Sequence, residues 1–447
     1  MLRSLFILLV YLAIFGLGLG VPFVLTLGYV WVDMFRPANV VYPFLRTIPY
    51  ALLIGGAAMA SYLMLDRRAP PRIGPVTVLT LALALWVTLT TLWAVAPIAA
   101  WEKWDWAFKS VLFSVFIPFV IRSRNQIEAF IQVYVFSVAA NVIPYGAKTL
   151  IGGGGGYGSQ HGLMNANFFL GEGATLATVA LMTIPMIVFL MGHSRIIPTN
   201  FWTKIGYLGL IVLAVATAIG THERTPLVGM VVLVAFLWWK SRRKILVGAF
   251  CAALAAGSIA FAPASWFERM ATITSSETER DDSVNVRLAV WNWTLDYVKV
   301  HPQGGGFAAF YINEITVRTD AETGATETQR GRAFHSIYFE VLGEHGYVGI
   351  ALFLGLFLFS FRALRQVVRL SRNRPDLQWS RDLANALQVS TLVVMACGAF
   401  TGFAFQPFVY YLFAMSVSVR EYVRRVQEEG PVPVLAPIPA SQPLAVR

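Results

Sequence analysis

Three residues of this chain pair a side chain suited to chemistry with a polar setting in an otherwise apolar sequence: His335, Arg287 and Arg224. An imidazole can accept a proton from a hydroxyl near neutral pH. A guanidinium stays charged at any relevant pH, and its fork of donors matches two oxygens of a phosphate. Those types suit a step in which a hydroxyl attacks while a phosphate-bearing group leaves. Each also has a plainer reading. A histidine at a helix start can be a cap or a surface group, and His161, His222, His301 and His345 share the same polar intervals. Arg287 can stack on Trp291 through a cation–π contact, and Arg224 can reach to headgroups or pair with Glu223.

The elements that must carry these residues are helices. Arg287, Trp291, Leu295 and Val298 fall at spacings of three and four, and Pro302 with Gly304-Gly305-Gly306 ends the pattern. His335 precedes SIYFEVLGEHGYVGI, in which Tyr338, Val341 and Leu342 form an apolar stripe leading into a long hydrophobic run. Arg224 lies in the connection Thr221-His222-Glu223-Arg224-Thr225-Pro226, where Pro226 suits a first helical turn and backbone N–H groups add positive potential.

With 57% hydrophobic and only 13% charged residues, the 447-residue chain is too apolar for a soluble protein. The expected fold is an all-α polytopic membrane protein of about twelve transmembrane helices with one large, partly helical periplasmic loop. Residues 1–262 form a membrane bundle of about nine spans, 263–345 the loop, 346–420 the C-terminal membrane helices and 421–447 a cytoplasmic Pro-rich tail. One crossing of residues 1–34, with a break near Gly16 to Pro22, puts both termini inside, whereas two crossings there give thirteen spans and an outside N-terminus; another apolar run covers 245–262. The loop holds seven Lys/Arg and twelve Asp/Glu, a net −5 against +16 on the remainder, so it is the part left outside by the rule that keeps basic residues in the cytoplasm. The positive balance reports topology and argues against a nucleic-acid partner. Simple alternation brings 96–105, 151–167, 221–225, the loop and the turn near 400–403 to one face. Glu172 sits close to a span end, and ionisable residues are nearly absent from span centres, which weighs against an ion-coupled transporter or a flippase.

Cys251 and Cys397 are too far apart to form a framework or a metal site, and the chain has no D-x-D pair for a divalent cation. Trp101-Glu102-Lys103-Trp104-Asp105-Trp106 reads as an interfacial aromatic belt; Glu102 and Asp105 as metal ligands would make the chemistry sensitive to chelator. Gly152 to Gly158 lacks a preceding strand and a lysine, so it reads as a flexible outer loop.

The order HERTPLVGM, then RLAVWNWTLDYVKVHPQGGGF, then HSIYFEVLGEHGYVGI resembles the O-antigen ligase and polymerase superfamily of bacterial envelope glycan enzymes. The H-S-x(n)-G-E-H-G-x-x-G form is most similar to the O-glycosylation ligases associated with exosortase systems. The resemblance spans roughly residues 165 to 420. It implies a glycosyltransferase of the GT-C type in the bacterial inner membrane, with its active site on the periplasmic face and neither metal nor cofactor. The donor it implies is an undecaprenyl-diphosphate-linked glycan, and the acceptor a lipid, polysaccharide or protein hydroxyl. By the same resemblance Arg287 and Arg224 hold the diphosphate and His335 is the base, with Trp291, Tyr338, Glu344 and His345 as candidate acceptor or sugar contacts. Glu223-Arg224-Thr225 departs from the Ser-Arg-Gly frequent in ligases, and that carboxylate can compete for the arginine. A repeat-unit polymerase of the same superfamily shares this donor chemistry.

Overall fold

In a computed structural model of the chain, the described residues are 2–41, 45, 47–152, 172–240, 244–245, 248–249, 252, 282–318 and 326–429. The helices are α1 (Leu2–Gly18), α2 (Pro22–Phe35), α3 (Tyr50–Leu65), α4 (Pro75–Leu92), α5 (Pro97–Val120), α6 (Arg124–Gly152), α7 (Gly173–His193), α8 (Phe201–Gly220), α9 (Thr225–Lys240), α10 (Asp282–Val300), α11 (Ile337–Leu370), α12 (Gln378–Gly398) and α13 (Pro407–Glu428). Prolines open α2, α4, α5 and α13, where a missing N–H costs nothing.

The protein is an all-α membrane protein in which α4, α6, α7, α8 and α11 are long and apolar enough to cross a bilayer. Helices α1, α2, α3 and α9 are apolar but shorter, so the expected twelve full-length spans are not all met among the described residues. α5, α12 and α13 are long, but Glu102 to Lys109, Arg381-Asp382 and Arg420 to Glu428 make one end of each polar. The run expected at 245–262 and the glycine run after Gly152 lie almost wholly outside the described residues, as does the tail beyond 429; α13 itself continues past the expected boundary at 420.

Residues 2–35 do not form one crossing rod. Gly18 lies against Leu25, Gly28 against Ile14, and Tyr11 meets Trp31 with ring centroids 5.8 Å apart, so α1 and α2 are an antiparallel hairpin. Gly18, Gly20 and Pro22 let the chain reverse there, within the break expected at Gly16 to Pro22.

The helices share one continuous core that ignores sequence order. α7, apolar all round, is buried on nearly every face against α6, α8, α9 and α12. α11 packs on α4, and α13 on α5, so the C-terminal helices are built into the N-terminal bundle rather than appended to it.

The two ends of the bundle differ in charge. At the basic end Arg122 bonds the Ala69 carbonyl, Arg425 the Arg122 carbonyl at 3.1 Å and Arg124 the His193 carbonyl at 3.1 Å, while His193 meets Asp382 at 3.0 Å. Connections 93–96, 221–224, 301–306, 335–346 and 399–406 gather at the opposite end, as alternation requires. Val95 N–H donates there to the Gly305 carbonyl at 2.9 Å.

Above that end α10 packs on a hairpin, β1 (Glu314–Arg318) antiparallel to β2 (Thr326–Arg330), with Glu314 opposite Arg330. Val290, Ala309, Ile315, Val317 and Phe334 close a small second core beneath it. A partly helical loop is therefore present, with a β-hairpin that the sequence reading did not include.

Candidate functional site

His335 is the last residue before the N-cap of α11 and adopts φ 48°, a left-handed conformation that a side-chain-bearing residue holds only under constraint. Two clamps supply the constraint. From the loop, the Trp291 indole N–H donates to the Phe334 carbonyl at 2.8 Å, Trp291 stacks on Phe339 at 4.8 Å, and Phe334 itself is buried in the small core. From the bundle, Gly402 in the α12–α13 turn packs at ordinary contact distance against Glu340 and the His335 backbone, and Ala404 N–H donates to Glu340 Oε2 at 3.0 Å. The imidazole itself remains 38% exposed, with Nδ1 3.7 Å from Glu172 Oε1.

Glu172 is the N-cap residue of α7, and the turn carrying Arg224 abuts it. A Cβ on Gly173 would sit 3.3 Å from Thr221 and 3.4 Å from the Glu223 side chain. His222 in this turn is also left-handed, at φ 54°, and is buried. Arg224 is half-buried beside Glu223, so the sequence elements holding His335 and Arg224 meet through α7.

Arg287 lies one turn before Trp291 on the same face of α10, and Trp291 touches the residue next to His335. Arg287 is half-buried and has no carboxylate partner among the described residues. The helical face differs in one respect from the spacing argument: Val298 is buried, whereas Leu295 is exposed, and Val290 and Thr294 complete the inner face.

The other candidate contacts are spent on architecture. Trp291 and Tyr338 are tied down, the latter by donating to the Met395 carbonyl at 2.9 Å, which fastens α11 to α12. Glu344 and His345, expected as acceptor or sugar contacts, are wholly enclosed. Glu344 accepts from Lys103 Nζ at 2.8 Å and from the Ala308 N–H at 2.9 Å. His345 Nδ1 meets Thr90 Oγ1 at 2.7 Å, its carbonyl accepts from Trp86 at 2.8 Å, and Phe307 and Phe405 pack edge-on against its ring. A side chain so enclosed has no surface left for a substrate.

Lys103 is the residue that the sequence reading misplaced. It is not part of an outer aromatic belt but points inward, bridging Glu340 at 2.7 Å and Glu344 at 2.8 Å. The signal was present in the sequence: Ala100, Lys103, Ala107, Ser110 and Ser114 recur at helical spacing, and the small residues of that stripe are all buried. Asp105, weighed as a metal ligand, pairs with Lys109 at 2.6 Å.

The glycines do structural work as well. Gly305 and Gly306 N–H groups donate to the Gly343 and Glu344 carbonyls at 3.0 and 2.7 Å, laying backbone on backbone. Gly346 has φ 64°, and a Cβ there would lie 2.0 Å from the Pro302 carbonyl oxygen, so α11 breaks into 337–345 and 347–370 at this residue.

The site is thus an accessible imidazole facing a carboxylate, with one arginine on the adjoining α8–α9 turn and another on the helix that clamps it. Residues 209–354, which hold Arg224, Arg287 and His335, match the family model described as O-Antigen ligase, and residues 2–195, which hold Lys103 and Glu172, match a family of unknown function, DUF5935. No curated protein matches the chain. Over residues 209–354 the chain carries a domain of the O-antigen ligase family.

Proposed function

We propose that the protein is an inverting, metal-independent glycosyltransferase of the ligase type, moving a glycan from an undecaprenyl-diphosphate carrier to an acceptor hydroxyl. His335 removes the hydroxyl proton, and Arg287 and Arg224 neutralise the departing diphosphate. The acceptor attacks the anomeric carbon from the face opposite the leaving group, and the polyprenyl tail lies between helices of the bundle. The acidic loop is periplasmic and the basic end faces the cytoplasm, which puts the protein in a bacterial inner membrane. The GEHG segment allies it with the exosortase-associated members.

One observation carries this reading: a strained, solvent-accessible histidine follows the residue that Trp291, one turn from Arg287, holds, and it faces Glu172 at the start of the helix that the Arg224 turn abuts. A positioned base and a preorganised cationic donor are each typically worth about 100- to 1000-fold in rate. His335→Ala is expected to abolish transfer from purified carrier-linked glycan while leaving expression and membrane insertion intact, and EDTA is expected to leave the wild-type rate unchanged. Near-normal product from His335→Ala would sink the assignment. Deleting the gene should leave long glycans on the carrier; accumulation of single repeat units would indicate a polymerase instead.

A further inference from the structure

Backbone clamps fix where His335 begins, but not how its exposed ring turns. Among the described residues the only carboxylate within ion-pair range of that ring is Glu172, at 3.7 Å from Nδ1. Glu172 occupies the N-cap of α7 without making a side-chain cap bond, so its oxygens are not consumed by its own helix. Oε2 is instead anchored by the Thr175 hydroxyl, which donates to it at 3.1 Å, and this leaves Oε1 facing the imidazole. No lysine or arginine among the described residues neutralises it. The other charged groups around the pair are Glu223 and Arg224, on the turn against Gly173, and Glu340, one turn into α11 and committed to Lys103 and Ala404.

We propose that Glu172 is a positioning residue for His335. It holds the ring by Nδ1, so that Nε2 meets the acceptor hydroxyl, and it stabilises the imidazolium that forms. This rests on reading His335 as the base. In the step, the acceptor O–H bond breaks and its proton goes to Nε2. The acceptor oxygen bonds the anomeric carbon, and the bond from that carbon to the diphosphate oxygen breaks, its electron pair leaving with the diphosphate. The Nδ1 proton stays on the ring, directed at Glu172. A separation of 3.7 Å leaves the pair a short step from hydrogen-bond contact, which bound substrate closes as it excludes water. The residue comes from the region matching the family of unknown function, while His335 comes from the O-antigen ligase region, so neither part carries the pair alone.

The test uses the full-length protein in nanodiscs. Carrier-linked glycan extracted from a strain lacking the protein serves as donor, and membranes of that strain supply the acceptor. Glu172→Gln should lower kcat roughly tenfold with donor KM unchanged, well short of the ~10,000-fold loss when a buried triad aspartate becomes an amide, because this pair is half-exposed and screened. Glu172→Asp should restore most of the rate, and Thr175→Val, which frees the carboxylate to rotate, should lower kcat about two- to threefold. A wild-type kcat in Glu172→Gln, or equal losses in the Gln and Asp variants with a raised KM, overturns the proposal. Should Glu172→Gln fail to fold, unchanged kcat in both Glu172→Asp and Thr175→Val overturns it as well. His335→Ala, run in parallel, separates the two ideas: an active His335→Ala removes the base reading, whereas an inactive one beside a normal Glu172→Gln removes only Glu172.

Discussion

Among the described residues, His335 differs from the other histidines in what surrounds it. His345 and His222 are buried, His301 is exposed and stacks on Tyr297 at 4.6 Å, and His193 lies at the basic end against Asp382. Sequence position could not separate His335 from His222, His301 and His345, because all four fall in intervals assigned to one face and exposure of a single ring depends on residues far away in the chain. The arginines are a different case. Their charge and donor geometry are legible from residue type, and the sequence order of Arg224, Arg287 and His335 was enough to suggest the superfamily. Arg287 has no competing carboxylate among the described residues, whereas Arg224 stands beside Glu223. Replacing Arg287 by Lys keeps the charge but loses the two-pronged contact, and charge-assisted hydrogen bonds are worth about 1.5–3 kcal/mol each. The expected result is a fall of roughly 10- to 100-fold in kcat/KM for donor, read from initial rates at varied donor, with thermal stability unchanged.

At the scale of elements, the glycine cluster read as a helix end is largely a fastening. Gly304 to Gly306 lie on Gly343 to Gly346 with carbonyls and N–H groups in direct contact, and Gly346 takes a conformation that ends one helix and starts another. Spacing alone reads such glycines as helix breakers, since it shows that a chain can turn but not which backbone it will press against. Gly346→Ala would place a methyl against the Pro302 carbonyl in a left-handed backbone. A destabilisation of at least about 3 kcal/mol is expected from the strain and the backbone displacement together. A large fall in the unfolding temperature of the detergent-solubilised protein checks it, and a wild-type melting curve would contradict the lock. The hairpin β1–β2 went unread for a related reason. Its buried face is only Ile315 and Val317, two alternating positions, and they gain meaning only once α10 and Phe334 lie over them.

The whole molecule is knit across its sequence. Lys103, from the first matched region, is the cation between Glu340 and Glu344 of the second, and Glu340 in turn holds the α12–α13 turn that lies beside His335. Removing one partner of a buried ion pair strands the others, at a cost of about 3–5 kcal/mol. Lys103→Met is therefore expected to lower the unfolding temperature markedly, and the double variant Lys103→Met/Glu344→Gln to recover part of the loss, a coupling that independent sites would not display. Thermal unfolding of the three proteins measures it; simple additivity would argue against the cluster.

Composition and charge asymmetry by themselves determined that this chain is a helical membrane protein with a polar loop, because apolar length and the sidedness of basic residues are properties of the sequence alone. The order of the motifs suggested the superfamily, and alternation of the spans suggested the face on which the polar connections meet. Only the tertiary structure decided that Lys103 turns inward, that Glu344 and His345 are enclosed, that α1 and α2 fold back on each other, and that Glu172 stands at His335. Those outcomes depend on which helices pack side by side, and long-range packing is set by complementary surfaces rather than by any local pattern of residues.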